Sequence, residues 1–245
     1  MNEIVRRVDP RNRTMGQIIK EDFMDILDVE YYLGLPAKLE HRISPLIGFP
    51  ALRTLGMVLV PSYFQKSKVT SGIAKILNTN SLSYKATVGT NPKQIRMWPH
   101  THNRKEIWFS EGPSYGGITN AKSLATFAAL IANEGTFGLT RLISPQAVKD
   151  SLALLPWMPD AVVSRNVTFS VGGWGMDLKF PGSDLEWIGW GGVGGSMVFF
   201  NRETKISFSY VMNSMTLSGI GDHRSFSLIS ELVNCYYKLQ QKSEK

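Results

Sequence analysis

The apolar side chains of this chain change their spacing near residue 160, and this change constrains the fold more than any other feature. Before it the segments that can be interpreted, near the start of the chain and again from Thr119, have apolar residues every three or four positions, as in helices, and after it the apolar residues alternate, as in half-buried strands. The alternating positions are Val167, Phe169 and Val171, then Met197 and Phe199, then Ile206, Phe208, Tyr210 and Met212. We predict three antiparallel strands, the last two joined by a turn at Asn201–Thr204. Helices followed by strands and a final helix indicate an α+β fold.

Capping residues mark the helix boundaries. Thr14 followed by Gln17 has the pattern of a capping box, in which each side chain accepts a hydrogen bond from the other residue's N–H. Thr119 and Ser144 are the expected N-caps of two further helices, and Gly135 is the expected C-cap between them. A first short helix is predicted to bury Ile4, Val5 and Val8, and the last to cover the sheet with Phe226, Ile229, Leu232, Val233 and Tyr236.

Proline and charge divide the chain into segments of one predicted domain. These segments are a helical part (1–50), an irregular basic excursion (51–111), further helices (112–160), and strands with the final helix (161–240). The net charge is +7, and residues 61–110 alone carry eight Lys or Arg against one Glu, so the rest is neutral. Because these cations are scattered, we expect a solvated basic face and no nucleic-acid partner. The alternative is a non-catalytic scaffold whose 61–110 region recruits an acidic partner.

Several kinds of site are disfavoured by composition. Cys235 is the only cysteine, which excludes an internal disulfide and any cysteine-based zinc site. His100 and His102 are followed by Asn103 and Arg104 rather than by further ligands, so we predict a surface loop there. We therefore expect no metal and no cofactor. The first residues lack the apolar core of a signal peptide and no apolar run is long enough to span a bilayer, so we expect a cytoplasmic protein.

Two glycine motifs resemble known catalytic or binding loops. Gly112–Gly116 matches the G-x-S-x-G nucleophile elbow, with Ser114 as the nucleophile, but an elbow requires a strand before the serine and a helix directly after it. Proline precedes this serine and two glycines follow soon after it, which favours a turn. Gly189–Gly194 matches the dinucleotide fingerprint literally, yet it leads into a predicted strand instead of a helix, which disfavours that function.

Five segments together resemble the penicillin-recognising serine hydrolases, specifically the branch of class C β-lactamases and class VIII carboxylesterases. They are residues 4–9, 17–22, 33–36, 113–125 and 187–196. The resemblance covers about residues 1–50 and 112–235, and it implies an incomplete β-lactamase/transpeptidase-like fold. In that family a Ser-x-x-Lys pair supplies the nucleophile and its base, and a tyrosine relays the proton. The resemblance further implies that Trp190, Gly191 and Gly192 line the substrate cleft of a small ester or amide, with the Val193 N–H as oxyanion donor.

This sequence departs from the family pattern in the catalytic motifs. None of its lysines has a serine three positions earlier, and the nearest spacings, Ser71 to Lys75 and Ser81 to Lys85, are one residue too long. None of its eight tyrosines has Asn or Ser two positions later. We therefore expect a serine-hydrolase homologue that is inactive alone. The alternative is an active esterase that uses a non-standard serine, Ser114 or Ser71.

The resemblance also has a consequence for solubility. The family's sheet takes its first strands from an N-terminal region that precedes the segments matched here. A sheet without those strands exposes an unpaired edge and an apolar face, both of which favour aggregation. We therefore expect the isolated chain to be poorly soluble or oligomeric unless a partner chain completes the sheet.

Overall fold

The fold was obtained as a computed structural model. It describes residues 1–48, 78–87, 101–157, 168–180, 182–192, 194–216 and 221–243. The α-helices are α1 (Asn2–Val8), α2 (Met15–Ile19), α3 (Asp25–Leu27), α4 (Leu82–Thr87), α5 (Lys105–Trp108), α6 (Ala121–Ala132), α7 (Pro145–Ser151) and α8 (His223–Ser243). A π-helical turn (Lys20–Met24) joins α2 to α3, and short 3-10 helices span Ala37–Arg42 and Thr101–Asn103. None of the helices in these ranges has the length and apolar character needed to cross a bilayer.

The strands form one antiparallel sheet and two small pairs. The five strands of the sheet, in spatial and chain order, are β5 (Thr168–Phe169), β6 (Gly175–Leu178), β7 (Trp187–Gly191), β8 (Met197–Phe200) and β9 (Ser207–Tyr210). The pairs are β1 (Tyr31–Tyr32) with β2 (Ile118–Thr119), and β3 (Thr136–Phe137) with β4 (Thr140–Arg141). The α+β class is confirmed, but the predicted number of three strands is too low. Gly189 and Gly191 interrupt the apolar positions of β7, and β6 has only the two alternating residues Met176 and Leu178, so the period-two pattern is weak in both strands.

Both faces of the sheet are covered, which explains the continuous apolar sequence of β8. On one face, Phe199 packs in a cluster with Trp187 and with Ile229 of α8. On the opposite face, Phe200 packs with helices α6 and α7. The predicted cover by the last helix is therefore confirmed for Phe226, Ile229 and Val233, whereas Tyr237 and not the predicted Tyr236 packs in this cluster, and Leu232 is not part of it. The second layer of helices was not predicted, and it explains why Val198 is also directed toward a core.

The hairpin between β8 and β9 is tied to helix α6. Phe200 pairs with Ser207, and the buried Asn201 accepts hydrogen bonds from the Thr204 N–H at 2.7 Å and hydroxyl at 2.8 Å. Lys205 then donates to the carbonyl of Ala132, the last residue of α6, at 3.1 Å. A cation at that end of a helix is favoured by the helix dipole. The predicted turn at Asn201–Thr204 is thus confirmed.

Two of the predicted helix starts are confirmed, and one is displaced. Thr14 and Gln17 form the complete capping box, and Ser144 accepts a hydrogen bond from the N–H of Ala147. The N-cap of α6, however, is Asn120 and not Thr119. Thr119 belongs to β2, and its hydroxyl donates to the carbonyl of Glu30 at 2.7 Å, so it is engaged elsewhere.

The C-terminal end of α6 also differs from the prediction. The C-cap is Asn133, and Glu134 follows it in the left-handed region with φ of 54°. Gly135 comes next, with φ of 82°, and its N–H donates to the carbonyl of Leu130, as in a Schellman motif. A Cβ at Gly135 would lie 2.0 Å from the carbonyl oxygen of Ile143, so glycine is required there by close backbone approach.

Helix α1 is present, but its apolar side chains are not buried. Ile4 and Val8 are 67% and 73% exposed, against the prediction of a core-facing stripe. The helix is held instead by polar contacts of Asn2, which donates to Glu111 at 2.7 Å and accepts a hydrogen bond from the Met15 N–H at 2.8 Å. Amphipathic spacing predicted the helix but could not identify what its apolar side contacts.

Neighbouring residues on α8 give a direct test of the covered sheet. Ile229 is fully buried against β8, whereas Leu228 is 53% exposed. We expect Ile229→Ala to lower the free energy of unfolding by about 3 kcal/mol, because it leaves a cavity, and Leu228→Ala by less than about 1 kcal/mol. Urea unfolding followed by circular dichroism measures both. Equal losses would contradict the assignment of the buried face.

Candidate functional site

The candidate site is the end of strand β7 with the glycine-rich turn that follows it. Trp190 and Gly191 are the last residues of β7 and pair with Val198 and Met197 of β8. Gly191 is buried and Gly192 is exposed, so a side-chain-free backbone emerges from the sheet at this point. The end of β7 therefore carries the candidate residues Trp190 and Gly191, and the candidate Gly192 follows directly after it.

The indole of Trp190 is half-buried against neighbouring strands. Its ring centroid lies 5.0 Å from that of Phe169 on β5, across strand β6. The approach is close because β6 has a glycine at the crossing: a Cβ on Gly175 would lie 2.9 Å from the Trp190 ring. Aromatic pairs in such tilted geometry stabilise each other beyond simple burial. Trp190 is thus a fixed aromatic side chain beside the glycine turn.

We refer to residues 192–196 as the glycine turn; Val193 within it lies outside the described residues. The N–H of Gly192 donates to the carbonyl of Ser196 at 2.8 Å, and the N–H of Gly195 donates to the carbonyl of Gly192 at 3.2 Å. Gly194 and Gly195 have φ of 107° and 120°, which side chains of L-residues rarely adopt. The reversal between β7 and β8 therefore depends on glycine.

A segment from outside the sheet supports this turn. Thr216 pairs with Gly194, and its N–H donates to the Gly194 carbonyl at 2.9 Å. On its other side the same segment pairs with Ile47, which exchanges hydrogen bonds with Asn213 and Met215. Backbone hydrogen bonds therefore connect the glycine turn, through residues 213–216, to Ile47 in the N-terminal helical part.

Asp222 is a charged residue that lies beside the turn. Its Oδ1 accepts hydrogen bonds from the N–H groups of Arg224 at 2.9 Å and Ser225 at 3.4 Å, so it caps the N-terminus of α8. Its Oδ2 faces the glycine turn and lies 3.1 Å from the Thr216 hydroxyl. A Cβ on Gly195 would approach this Oδ2 to 2.8 Å.

The environment of Asp222 strongly favours its ionised form. Burial alone would raise the pKa of this carboxyl, but hydrogen bonds from the Arg224 side chain and N–H, from Thr216 and from the Ser225 N–H outweigh it and lower the pKa to about 2. Arg224 also donates to the carbonyl of Ser214 at 3.0 Å and lies over the Tyr210 ring. The Asp222–Arg224 ion pair at the start of α8 is therefore linked to the segment that supports the glycine turn by the hydrogen bonds to Ser214 and Thr216.

The other candidate residues lie away from this site or outside the described ranges. Ser114 is exposed in a tight turn, where the Gly116 N–H donates to the Gly112 carbonyl, and the next helix begins only at Ala121. This is the turn that the sequence favoured, without the strand and helix of a nucleophile elbow. Ser71 lies outside the described residues, as does most of the basic 61–110 segment. His102 packs edge-on against Tyr115, and burial lowers its pKa.

Two residues of the site were missed at the level of sequence. Asp222 and Thr216 approach the glycine turn only through the fold. A weak signal existed for Asp222, because Asp followed three residues later by Ser before an apolar run is a helix N-cap pattern. Nothing in the sequence relates it to a turn almost 30 residues earlier. In the described ranges, no group of three or more His, Cys, Asp or Glu side chains is placed to hold a metal.

Comparison with known proteins decides the family. The family described as Beta-lactamase matches residues 1–226, which is most of the chain. The chain belongs to the beta-lactamase family. A search of curated proteins finds no matching protein. The predicted relation to β-lactamase-like serine hydrolases is therefore confirmed.

Three solved structures have the same fold as this member of the beta-lactamase family. A penicillin-binding protein homologue from Caulobacter crescentus is 25% identical with a TM-score of 0.65, over 93% of this chain and 54% of that one. A family VIII carboxylesterase is 23% identical with a TM-score of 0.72, over 95% and 55% of the two chains. EstA from Arthrobacter nitroguajacolicus Rue61a is 17% identical with a TM-score of 0.68, over 96% and 57%. The chain thus spans little more than half the length of these proteins, and a partial β-lactamase-like fold is confirmed.

The pKa of Asp222 predicts how the stability of this family member depends on pH. Because the folded pKa is about 2 and the ordinary value is 3.8, the charge stabilises the fold above about pH 4, and the effect is lost as the pH falls toward 2. We expect Asp222→Asn to lower the free energy of unfolding by about 2 kcal/mol at pH 7 and by much less at pH 2. Urea unfolding across this range measures it, with the exposed Asp184→Asn as control. A difference that does not change with pH would contradict the prediction.

Proposed function

We propose that this chain forms the substrate-binding wall of an acyl-transfer site and binds small esters or amides at Trp190–Gly192. The observation that carries the proposal is the end of β7, where the exposed Gly192 presents bare backbone next to the buried Gly191 and the fixed indole of Trp190. Glycines at such a position let a ligand approach the main chain closely. Family membership and the carboxylesterase and penicillin-binding protein homologue among the similar structures support the substrate class.

The chemistry proposed for this wall is orientation and polarisation of a carbonyl group. Backbone N–H groups fixed by secondary structure stabilise the negative charge that develops on a carbonyl oxygen during acyl transfer. The N–H of Val193, which follows the two glycines in the sequence, is the proposed donor. Trp190 would pack against the apolar part of the ester or amide, since an aromatic ring offers a large contact area with few rotatable bonds.

We further propose that this chain does not carry out acyl transfer alone. The serine nucleophile of such a reaction needs a base that accepts its proton, and Ser-x-x-Lys places both on one helical face. This pair does not occur in the sequence. Ser114, the alternative nucleophile, is exposed in a turn of the described structure and not at the end of a buried strand. The proposed role is therefore binding without covalent catalysis.

Turnover by the purified chain tests this role. We expect nitrocefin and p-nitrophenyl acetate to be hydrolysed no faster than by the denatured chain, because no activated nucleophile is supplied. Fluorophosphonate labelling followed by mass spectrometry should find no modified serine. An initial burst with a serine trapped as its acyl ester would overturn the proposal, and loss of that burst in Ser114→Ala or Ser71→Ala would identify the residue.

We also propose that a partner chain completes the sheet. Within the described ranges β9 pairs with β8 on one side only, and the exposed apolar side chains of α1 offer a second surface. Light scattering on the purified chain should detect oligomers. A monomer with a sharp two-state thermal transition would contradict this, since it would need no added strand. The scaffold alternative stays a prediction: Arg104 and Lys105 pair with Glu106 and Glu40, and most of the basic segment lies outside the described residues.

A further inference from the structure

The N-terminus of helix α8 and the glycine turn share a single carboxylate. Oδ1 of Asp222 caps the helix, while Oδ2 is directed toward the turn and accepts a hydrogen bond from the Arg224 guanidinium at 2.9 Å. The N–H of Asp222 donates to the hydroxyl of Ser225 at 2.9 Å, which completes a capping-box arrangement. The position of this carboxylate is therefore fixed by the helix, and the turn rests against a rigid group.

Thr216 lies between this carboxylate and the turn. Its hydroxyl oxygen is 3.1 Å from Oδ2 of Asp222 and 3.2 Å from the carbonyl oxygen of Gly194. A hydroxyl has one hydrogen to donate, so it is shared between these two acceptors. The N–H of Thr216 donates to the same Gly194 carbonyl. Thr216 thus holds Gly194 through both its backbone and its side chain.

The turn needs such support because its own residues do not determine its shape. Glycine has access to far more backbone conformations than other residues, and Gly192, Gly194 and Gly195 all lie in this turn. Its internal hydrogen bonds, from Gly192 to Ser196 and from Gly195 to Gly192, leave the Gly194 carbonyl to be fixed from outside. Contacts from Thr216 provide this.

We propose that Thr216 and Asp222 are positioning residues that hold the glycine turn in the conformation needed to bind a carbonyl ligand at the end of β7. This inference rests on the proposed function. Neither residue touches the ligand: Asp222 fixes the Thr216 hydroxyl, and Thr216 fixes the carbonyl of Gly194. Loss of this contact leaves the glycines free to sample other conformations, and the bound ligand then has to order them at a cost in affinity.

Paired variants at Thr216 separate the hydroxyl from the shape of the side chain. Thr216→Val keeps the shape and removes the hydroxyl, whereas Thr216→Ser keeps the hydroxyl. In Thr216→Val, hydrogen exchange measured by NMR should be about tenfold faster at the amides of Gly195 and of position 216. Exchange at the Phe199 amide should be unchanged. Thr216→Ser should remain close to the wild type. The shift of the Gly192 amide on titration with p-nitrophenyl acetate should show several-fold weaker binding only for Thr216→Val.

Two further variants sharpen the test. Asp222→Asn retains the Oδ1 that caps the helix, but it places an NH₂ group or a weaker acceptor where Oδ2 stood, so it should resemble Thr216→Val at the turn. Thr204→Val is the matched control, because it removes a hydroxyl that bonds Asn201 at 2.8 Å in the other hairpin. It should leave the exchange of Gly195 unchanged.

The outcomes distinguish this inference from the proposed function. If Thr216→Val and Thr216→Ser behave alike, or if exchange rises equally at Phe199, the positioning role is overturned. If the wild type does not bind p-nitrophenyl acetate while exchange at the turn responds as expected, the proposed ligand class fails and the support of the turn by Thr216 stands. Weaker binding with local loss of protection, rescued by serine, supports both.

Discussion

The burial of a five-stranded sheet between two layers of helices is the constraint on which the rest of this structure depends. Successive side chains of β7 and β8 enter opposite cores, so that Trp187 and Phe199 pack under α8, while Ile188 and Phe200 pack under α6 and α7. A strand with both faces covered has a fixed register, because a shift by one residue would exchange the two sets of side chains. The end of β7 is therefore a well-defined point in the fold.

The fixed end of β7 helps to give the glycine turn, residues 192–196, a definite conformation. The glycine turn begins where β7 leaves the sheet, and the N-terminus of α8 lies next to it because α8 crosses the same sheet. Asp222 can then cap the helix and anchor Thr216 at once. In the proposed function the glycines give a ligand close access to the backbone, while the neighbouring helix provides the order that glycines lack.

This chain belongs to the beta-lactamase family but covers only about half of the similar structures. It therefore has some of the features of that family and lacks others. The sheet, its helical cover and the glycine turn are present, whereas the sequence has no Ser-x-x-Lys pair. Ile4 and Val8 of α1 are exposed. Binding of a carbonyl compound without covalent catalysis is the role proposed for these residues.

What the sequence determined by itself was local. Thr14 with Gln17 and Ser144 before its proline predicted helix starts correctly, because a cap is satisfied by residues within the same turn. The hairpin at Asn201–Thr204 was also predictable, since its buried asparagine bonds the turn that it begins. Alternation gave the strands on either side of that hairpin.

The tertiary structure decided whatever depends on residues distant in the chain. Asn120 and not Thr119 caps α6 because Thr119 is paired with Tyr31 in another strand. Strands β6 and β7 were not predicted from alternation, since β6 has only two alternating apolar residues and Gly189 and Gly191 interrupt the pattern in β7. The contact of Thr216 and Asp222 with the glycine turn required the packing of α8 on the sheet, because hydrogen bonds between distant segments leave no periodic pattern in a sequence.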